Sequence, residues 1–196
     1  MLEAVAGRVQ PLDCWYFDIE NEPTSFRERF PLTKPIAIGW EINGKTNFWA
    51  KNHVWRRGGV EPLELGLERF RDLFWDVAPI VAGHNVRQHD NPIVNGARMR
   101  VGLKPLAPRM CRDTLRDLIG MKGVGRSLEA LTIYLGIGER KHHLSEAEWE
   151  ELWPMDTPAR REEVIERCLS DVALNVEIGA ILQARGYLKP PRMWRP

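Results

Sequence analysis

From Trp15 to Glu20 the chain alternates: Trp15, Phe17 and Ile19 fall on one side of an extended backbone, Tyr16, Asp18 and Glu20 on the other. The pattern predicts a strand that carries two carboxylates on one face, one residue apart. A polar stretch rich in turn residues follows, NEPTSFRERFPLTKP at 21–35. IAIGWEI and KTNFWAKN then flank Asn43-Gly44, the strongest short-range hairpin signal. Leu63, Leu67, Phe70, Phe74 and Val77 recur at helical spacing and predict a helix from Glu61 to Asp76. PIVAG, residues 79–83, reads as a short buried strand. Asn91-Pro92 predicts a second helix with Asn91 as its cap and Pro92 in its first position, bearing Ile93, Ala97 and Val101. PRMC, residues 108–111, reads as a further strand, and Ser127 as the cap of a helix over LEALTIYLGI. SEAEW carries a capping box at Ser145 and Glu148. A long last helix is predicted from Pro158 to about Arg185, before Gly186. Strands mixed with helices throughout, a hairpin among the first, predict an α/β protein whose helices cover a sheet.

Composition narrows this picture only slightly. The 196 residues suit one domain spanning 1–196, with its core from about 12 to 185. A net charge of +1 gives no global basic field. Cys14, Cys111 and Cys168 lie far apart without a C-x-x-C pair, which argues against a disulfide framework or a thiolate zinc site. The first ten residues lack a basic start followed by an apolar stretch, and no run approaches the length of a membrane span. The expectation is a soluble cytoplasmic protein with no membrane partner.

Four acids stand out. Asp18 and Glu20 share a strand face; as neighbours of like charge they repel unless something positive lies between them, although a solvent-facing edge would carry both at no cost. Asp90 follows the PIVAG strand and precedes a helix, where it could cap. If Asn91 fills the cap, Asp90 is released for other work. In the last helix Val164, Cys168, Asp171, Asn175, Ile178 and Leu182 form one stripe. Asp171 thus sits at the apolar face, where a carboxylate must be neutral, paired or bound to metal. An ion pair with Arg167, one turn earlier, is the structural alternative. One explanation covers all four acids: magnesium takes oxygen ligands, and two ions about 4 Å apart serve phosphodiester hydrolysis.

YFDIE, AGHNVRQHDNP and ERCLSDV resemble, in order, the three motifs of the DEDD superfamily of 3′-to-5′ exonucleases, which includes the proofreading domains of DNA polymerases. The resemblance runs from about Cys14 to Ile181, with CRDTL and SLEALTIYLGI similar to the linking segment of stand-alone members. It implies a ribonuclease H-like fold: a central mixed sheet with an antiparallel hairpin, flanked by helices. It also implies that Asp18, Glu20, Asp90 and Asp171 are catalytic and bind two Mg2+ or Mn2+ ions. The substrate would be the 3′ end of single-stranded DNA or RNA, DNA rather than RNA. A non-catalytic nucleic-acid-binding module on the same fold is the alternative.

One departure separates this chain from the family pattern. The third motif usually has Tyr four residues before its Asp or His five before; here those positions are Arg167 and Glu166. Arginine stays charged and cannot act as a base. Arg167 is therefore a candidate to contact phosphate or orient water, and His89, His142 and His143 are candidates to supply the missing group. GMKGVGRS, 120–127, approaches a phosphate-binding loop, but Arg126 replaces its Lys and no buried strand precedes it, so it reads as a glycine-rich connection. From Arg87 to Arg126 nine Lys or Arg face three Asp, a local net charge of +6 suited to phosphate or to a solvated helix face. Trp49, Trp55, Trp149 and Trp153 could stack on bases, but core is the expectation for most of them.

Overall fold

A computed structural model describes residues 13–22, 34–55, 59–137 and 144–196. Most of the polar 21–35 stretch and the His142-His143 pair lie outside the described residues, as does the side chain of Trp55.

The alternating segment forms β1 (Cys14–Asn21). The Asn-Gly turn joins β2 (Pro35–Ile42) to β3 (Lys45–Ala50), with Asn43 and Gly44 both at positive φ, as a twist-matched two-residue hairpin requires. A two-stranded ribbon follows, β4 (Val54–Trp55) with β5 (Gly59–Val60). Next come α1 (Leu63–Phe70), β6 (Ile80–Gly83), α2 (Asp90–Arg100), β7 (Arg109–Asp113) and the single turn α3 (Thr114–Asp117). The chain ends in α4 (Leu128–Leu135), α5 (Glu146–Leu152), the 27-residue α6 (Pro158–Ala184) and a short β8 (Arg192–Trp194). The main sheet has the order β3-β2-β1-β6-β7-β8. β1 pairs in parallel with β6, and β6 with β7; the remaining pairs are antiparallel. This is the mixed, helix-flanked sheet expected of a ribonuclease H-like fold. No described helix is long and apolar enough to cross a membrane.

Three local expectations need correction. The helix predicted over Glu61–Asp76 starts only after Pro62 and changes to π geometry at Arg71–Trp75, where Asp76 N–H donates to Arg71 O at 2.9 Å. The wider turn rotates Trp75 inward beside Phe74, and Val77, expected on the apolar stripe, is exposed. Asn91 does not cap α2: it lies inside the helix, fully buried, and its amide donates to Cys111 Sγ at 3.9 Å, while His89 occupies the cap position without a side-chain capping bond. β8 was not anticipated, because three residues carry no periodicity. It is anchored by Trp194, which packs edge-on against Trp75 at 5.3 Å between ring centroids. The hairpin, the β6 and β7 strands, both serine caps and the capping box of α5 form as the sequence predicts.

One sheet face buries an aromatic cluster. Phe17 of β1 lies 5.2 Å from Phe70 and 5.7 Å from Phe74, and Trp40 of β2 lies 5.6 Å from Phe70. Each such side chain, fully buried, contributes about 2–3 kcal/mol. Trp49 joins this core, while Trp149 and Trp153 are half-buried against a second cluster under α5 and α6. The other face carries α6 across β1 and β2. Two glycines set how closely it packs. A Cβ at Gly179 would meet the Tyr16 hydroxyl, and one at Gly39 would lie 3.1 Å from Cys168 Sγ. α6 therefore rests almost directly on the strand that carries Asp18 and Glu20.

Candidate metal centre

Strand alternation turns Asp18 and Glu20 toward α6. Asp18 lies opposite Gly39 in the β1–β2 ladder and Glu20 opposite Ala37, with a bulge just after Glu20. Cys168 Sγ approaches the Asp18 carbonyl oxygen at 3.6 Å, fixing the helix register at this point. Asp171 follows on the next turn. One ligand atom each from Asp18, Glu20 and Asp171 then lies within 4.8 Å of the others. Asp171 is buried; Asp18 and Glu20 are half-buried.

The charge of this cluster is felt by its neighbour. Burial first, then the negative charges of Asp18, Glu20 and Asp171, push the Cys168 thiol well above its usual pKa. Burial also pushes Cys111 up to about 12. All three cysteines are unpaired. Neither Cys111 nor Cys168 can act as a thiolate nucleophile near neutral pH, which leaves the carboxylates as the chemistry of the site.

Asp90 lines the same cleft but does not join the three-carboxylate cluster. It sits in the first turn of α2, 2 % exposed, with its Oδ2 3.5 Å from His89 Nδ1. The hydrogen bond to Asp90 is the main cause that raises the His89 pKa above its ordinary value. His89 also lines the cleft, as the sequence suggested; His142 and His143 lie outside the described residues.

Arg167 reaches beyond its own helix. Its Nε donates to Glu20 Oε1 at 2.9 Å, 147 residues away in the chain. Its guanidinium also stands over the Trp149 ring, 5.7 Å from the centroid. An arginine thus occupies the rim of the acid cluster, held by a strand carboxylate and an aromatic face of α5. The cleft, of about 580 Å³, is completed by Arg126 of the glycine-rich connection and by residues with no motif of their own: His84, Asn85 and Leu115. His84 Nδ1 lies 2.9 Å from Thr114 Oγ1. Asn85 adopts positive φ at the end of β6. Its position directly after a buried strand and before the Asp90 helix was the available signal.

The donor set fits a hard divalent cation. It is all oxygen, it is anionic, and it gathers like charges that repel until a cation separates them. A structural ion pair could neutralise Glu20 through Arg167. The convergence of three acids from β1 and α6 within 4.8 Å is the arrangement a divalent cation would use.

No protein-family model matches the sequence, and no curated protein matches it. Solved structures do. The family B DNA polymerase of the hyperthermophilic archaeon Pyrobaculum calidifontis aligns with 88% of this chain at a TM-score of 0.67 and 18% identity. This chain spans 25% of that polymerase. At such identity the likeness shows a common fold.

Proposed function

We propose that this chain is a metal-dependent 3′-to-5′ exonuclease of DEDD type, acting on single-stranded ends, DNA rather than RNA, in the cytoplasm. The observation that carries the reading is the meeting of Asp18, Glu20 and Asp171 within 4.8 Å on a ribonuclease H-like sheet. Motif order supports it, and so does the likeness to a DNA polymerase. Asp18, Glu20 and Asp171 would hold Mg2+ or Mn2+, with Asp90 completing the set from the cleft wall. Bound there, the ions supply Lewis acidity for phosphodiester hydrolysis. The chain itself contributes a half-buried acidic cleft, His89 beside Asp90, and Arg167 at the rim. The deciding assay is degradation of a 5′-labelled single strand with magnesium, with chelator, and alongside a circular strand. A one-nucleotide ladder that chelator abolishes, with the circle intact, is the expected result. Cutting of the circle would replace exonuclease by endonuclease.

Metal binding has its own readout. Ions that bind the folded state alone at about a hundred times Kd stabilise by about 2.7 kcal/mol. That corresponds to a rise in Tm of about 5–10 °C for a chain of this size. A melting curve indifferent to both Mg2+ and Mn2+ would count against the site.

The Arg167–Glu20 pair favours a second reading, a nucleic-acid-binding module in which arginine takes over the neutralising role of a cation. Arg167→Ala separates the two. In an exonuclease, arginine is no base, so the variant keeps activity within about tenfold of the parent. Arg167→Tyr, which restores the commoner family residue, preserves or raises the rate. The binding-module reading expects no hydrolysis from the parent or from either variant, and weaker oligonucleotide binding in Arg167→Ala.

A further inference from the structure

A second cleft, of about 530 Å³, adjoins the acidic one, and Ile119 lines both. Its charge is opposite. Arg87, Arg116, Lys189 and Arg192 face Asp113 and Asp117 across it. The two acids are already engaged. Asp113 accepts backbone N–H bonds from Asn85 at 3.0 Å, Arg87 at 3.1 Å and Arg116 at 3.2 Å. Asp117 accepts the Lys189 N–H at 3.2 Å. Two of the cations are not engaged: the Arg116 and Arg192 guanidiniums have no hydrogen bond or ion pair among the described residues.

The wall that carries Lys189 and Arg192 is held in place. Arg87 donates to the carbonyl oxygens of Arg192 at 2.8 Å and Met193 at 3.0 Å. The buried Arg112 donates to Gln183 Oε1 at 2.9 Å and to the Lys189 carbonyl oxygen at 3.4 Å. Two arginines thus fix the chain segment that presents Lys189 and Arg192. Cations fixed in a cleft, with its carboxylates already bonded, make a site for anions. The shared wall at Ile119 makes the anion one that continues from the acidic cleft.

We propose that this cleft binds the phosphodiester backbone of a single-stranded polynucleotide whose end lies in the acidic cleft, with Arg116 and Arg192 as its phosphate contacts. This rests on the nuclease reading for the end, but its own claim is length-dependent binding. An acidic cleft repels phosphate, and a cationic neighbour compensates on the strand behind the end. The exposed Ile119 between the clefts offers an apolar surface to a sugar or base.

The test compares the full chain with Arg116→Ala/Arg192→Ala and with Arg116→Lys/Arg192→Lys, each checked for an unchanged melting curve. The probe is a fluorescent 12-nucleotide single strand with phosphorothioate linkages, in magnesium, with affinity followed against salt. Each phosphate contact to a single strand contributes about 0.7 to the slope of log K against log salt. The alanine pair therefore lowers the slope by about 1.4 and weakens binding at low salt by at least about tenfold, while the lysine pair keeps the slope. Inorganic phosphate and a mononucleotide serve as competitors, and the parent must prefer the 12-mer to both. An alanine pair of parental affinity and slope overturns the proposal, and so does a parent that binds phosphate or the mononucleotide as tightly as the 12-mer. Hydrolysis of a dinucleotide by the parent reads the nuclease assignment separately: its absence sinks that assignment, not the length-dependent binding.

Discussion

Asp18→Asn lowers the rate of phosphodiester hydrolysis by a factor of about 10³ or more, and leaves the Tm of the metal-free protein unchanged or raised. The rate follows from the role of the ligand. Asparagine keeps the shape of aspartate but removes the charge that holds a hard cation, and metal stabilisation of the reacting phosphate is worth several kcal/mol, about 4 for a factor of 10³. The melting behaviour follows from the crowding of the acids. Asp18, Glu20 and Asp171 offer ligand atoms within 4.8 Å of one another, so removing one charge relieves repulsion in the absence of metal. Glu20→Gln, Asp90→Asn and Asp171→Asn are expected to lose activity in the same way. The pairing of the two readouts is the point: a merely structural carboxylate would lose stability on neutralisation and keep its rate. Rates are measured on a 5′-labelled strand and Tm by calorimetry with chelator present. Parental activity in Asp18→Asn would end the metal-centre assignment.

Arg98→Met destabilises the fold by about 3 kcal/mol, a fall in Tm of about 6–12 °C. Arg98, on α2, is fully buried against α1. Its Nε donates to the Lys104 carbonyl oxygen at 2.7 Å, its Nη1 to the Leu67 carbonyl oxygen at 3.0 Å and its Nη2 to Glu68 Oε1 at 2.8 Å. Methionine fills the space of the aliphatic stem but leaves two carbonyls and a half-buried carboxylate without that donor, and buried acceptors left unpaired are costly. The guanidinium fastens α2, which carries Asp90, to α1. Well below its melting temperature the variant retains its hydrolytic rate, because Arg98 lies outside the cleft. A Tm within about 2 °C of the parent would show that the three bonds are replaced by other contacts.

The sequence already contained whatever depends on short range. Alternation in WYFDIE determines that Asp18 and Glu20 share a strand face, whatever the strand pairs with. Asn43-Gly44 determines the hairpin turn, because few residues tolerate the backbone that turn needs. The i, i+3, i+4 stripe of α6 places Asp171 beside Cys168 on the inward face, so its burial was legible before any fold was known. Capping by Ser127 and Ser145 is equally local.

Tertiary structure decided the rest, because those outcomes turn on partners distant in the chain. Helical spacing puts Arg167 one turn from Asp171 on the same helix, but its bond to Glu20 could not be read from it: that bond exists because α6 crosses β1 closely enough to bring a strand carboxylate within reach. Asn91 had every local feature of a cap and became a buried residue against Cys111 instead. Of the nine cations counted between Arg87 and Arg126, Arg98 and Arg112 turned out to be buried struts, while Arg116 faces a cleft whose other wall comes from β8. No local pattern separates a strut from a phosphate contact; both are arginines in a basic run. The difference lies in which carbonyls the folded chain brings within hydrogen-bond reach. The distance between the acids follows the same logic: Gly39 and Gly179 bear no side chain where α6 meets the sheet, and only that contact turns three separate carboxylates into one site.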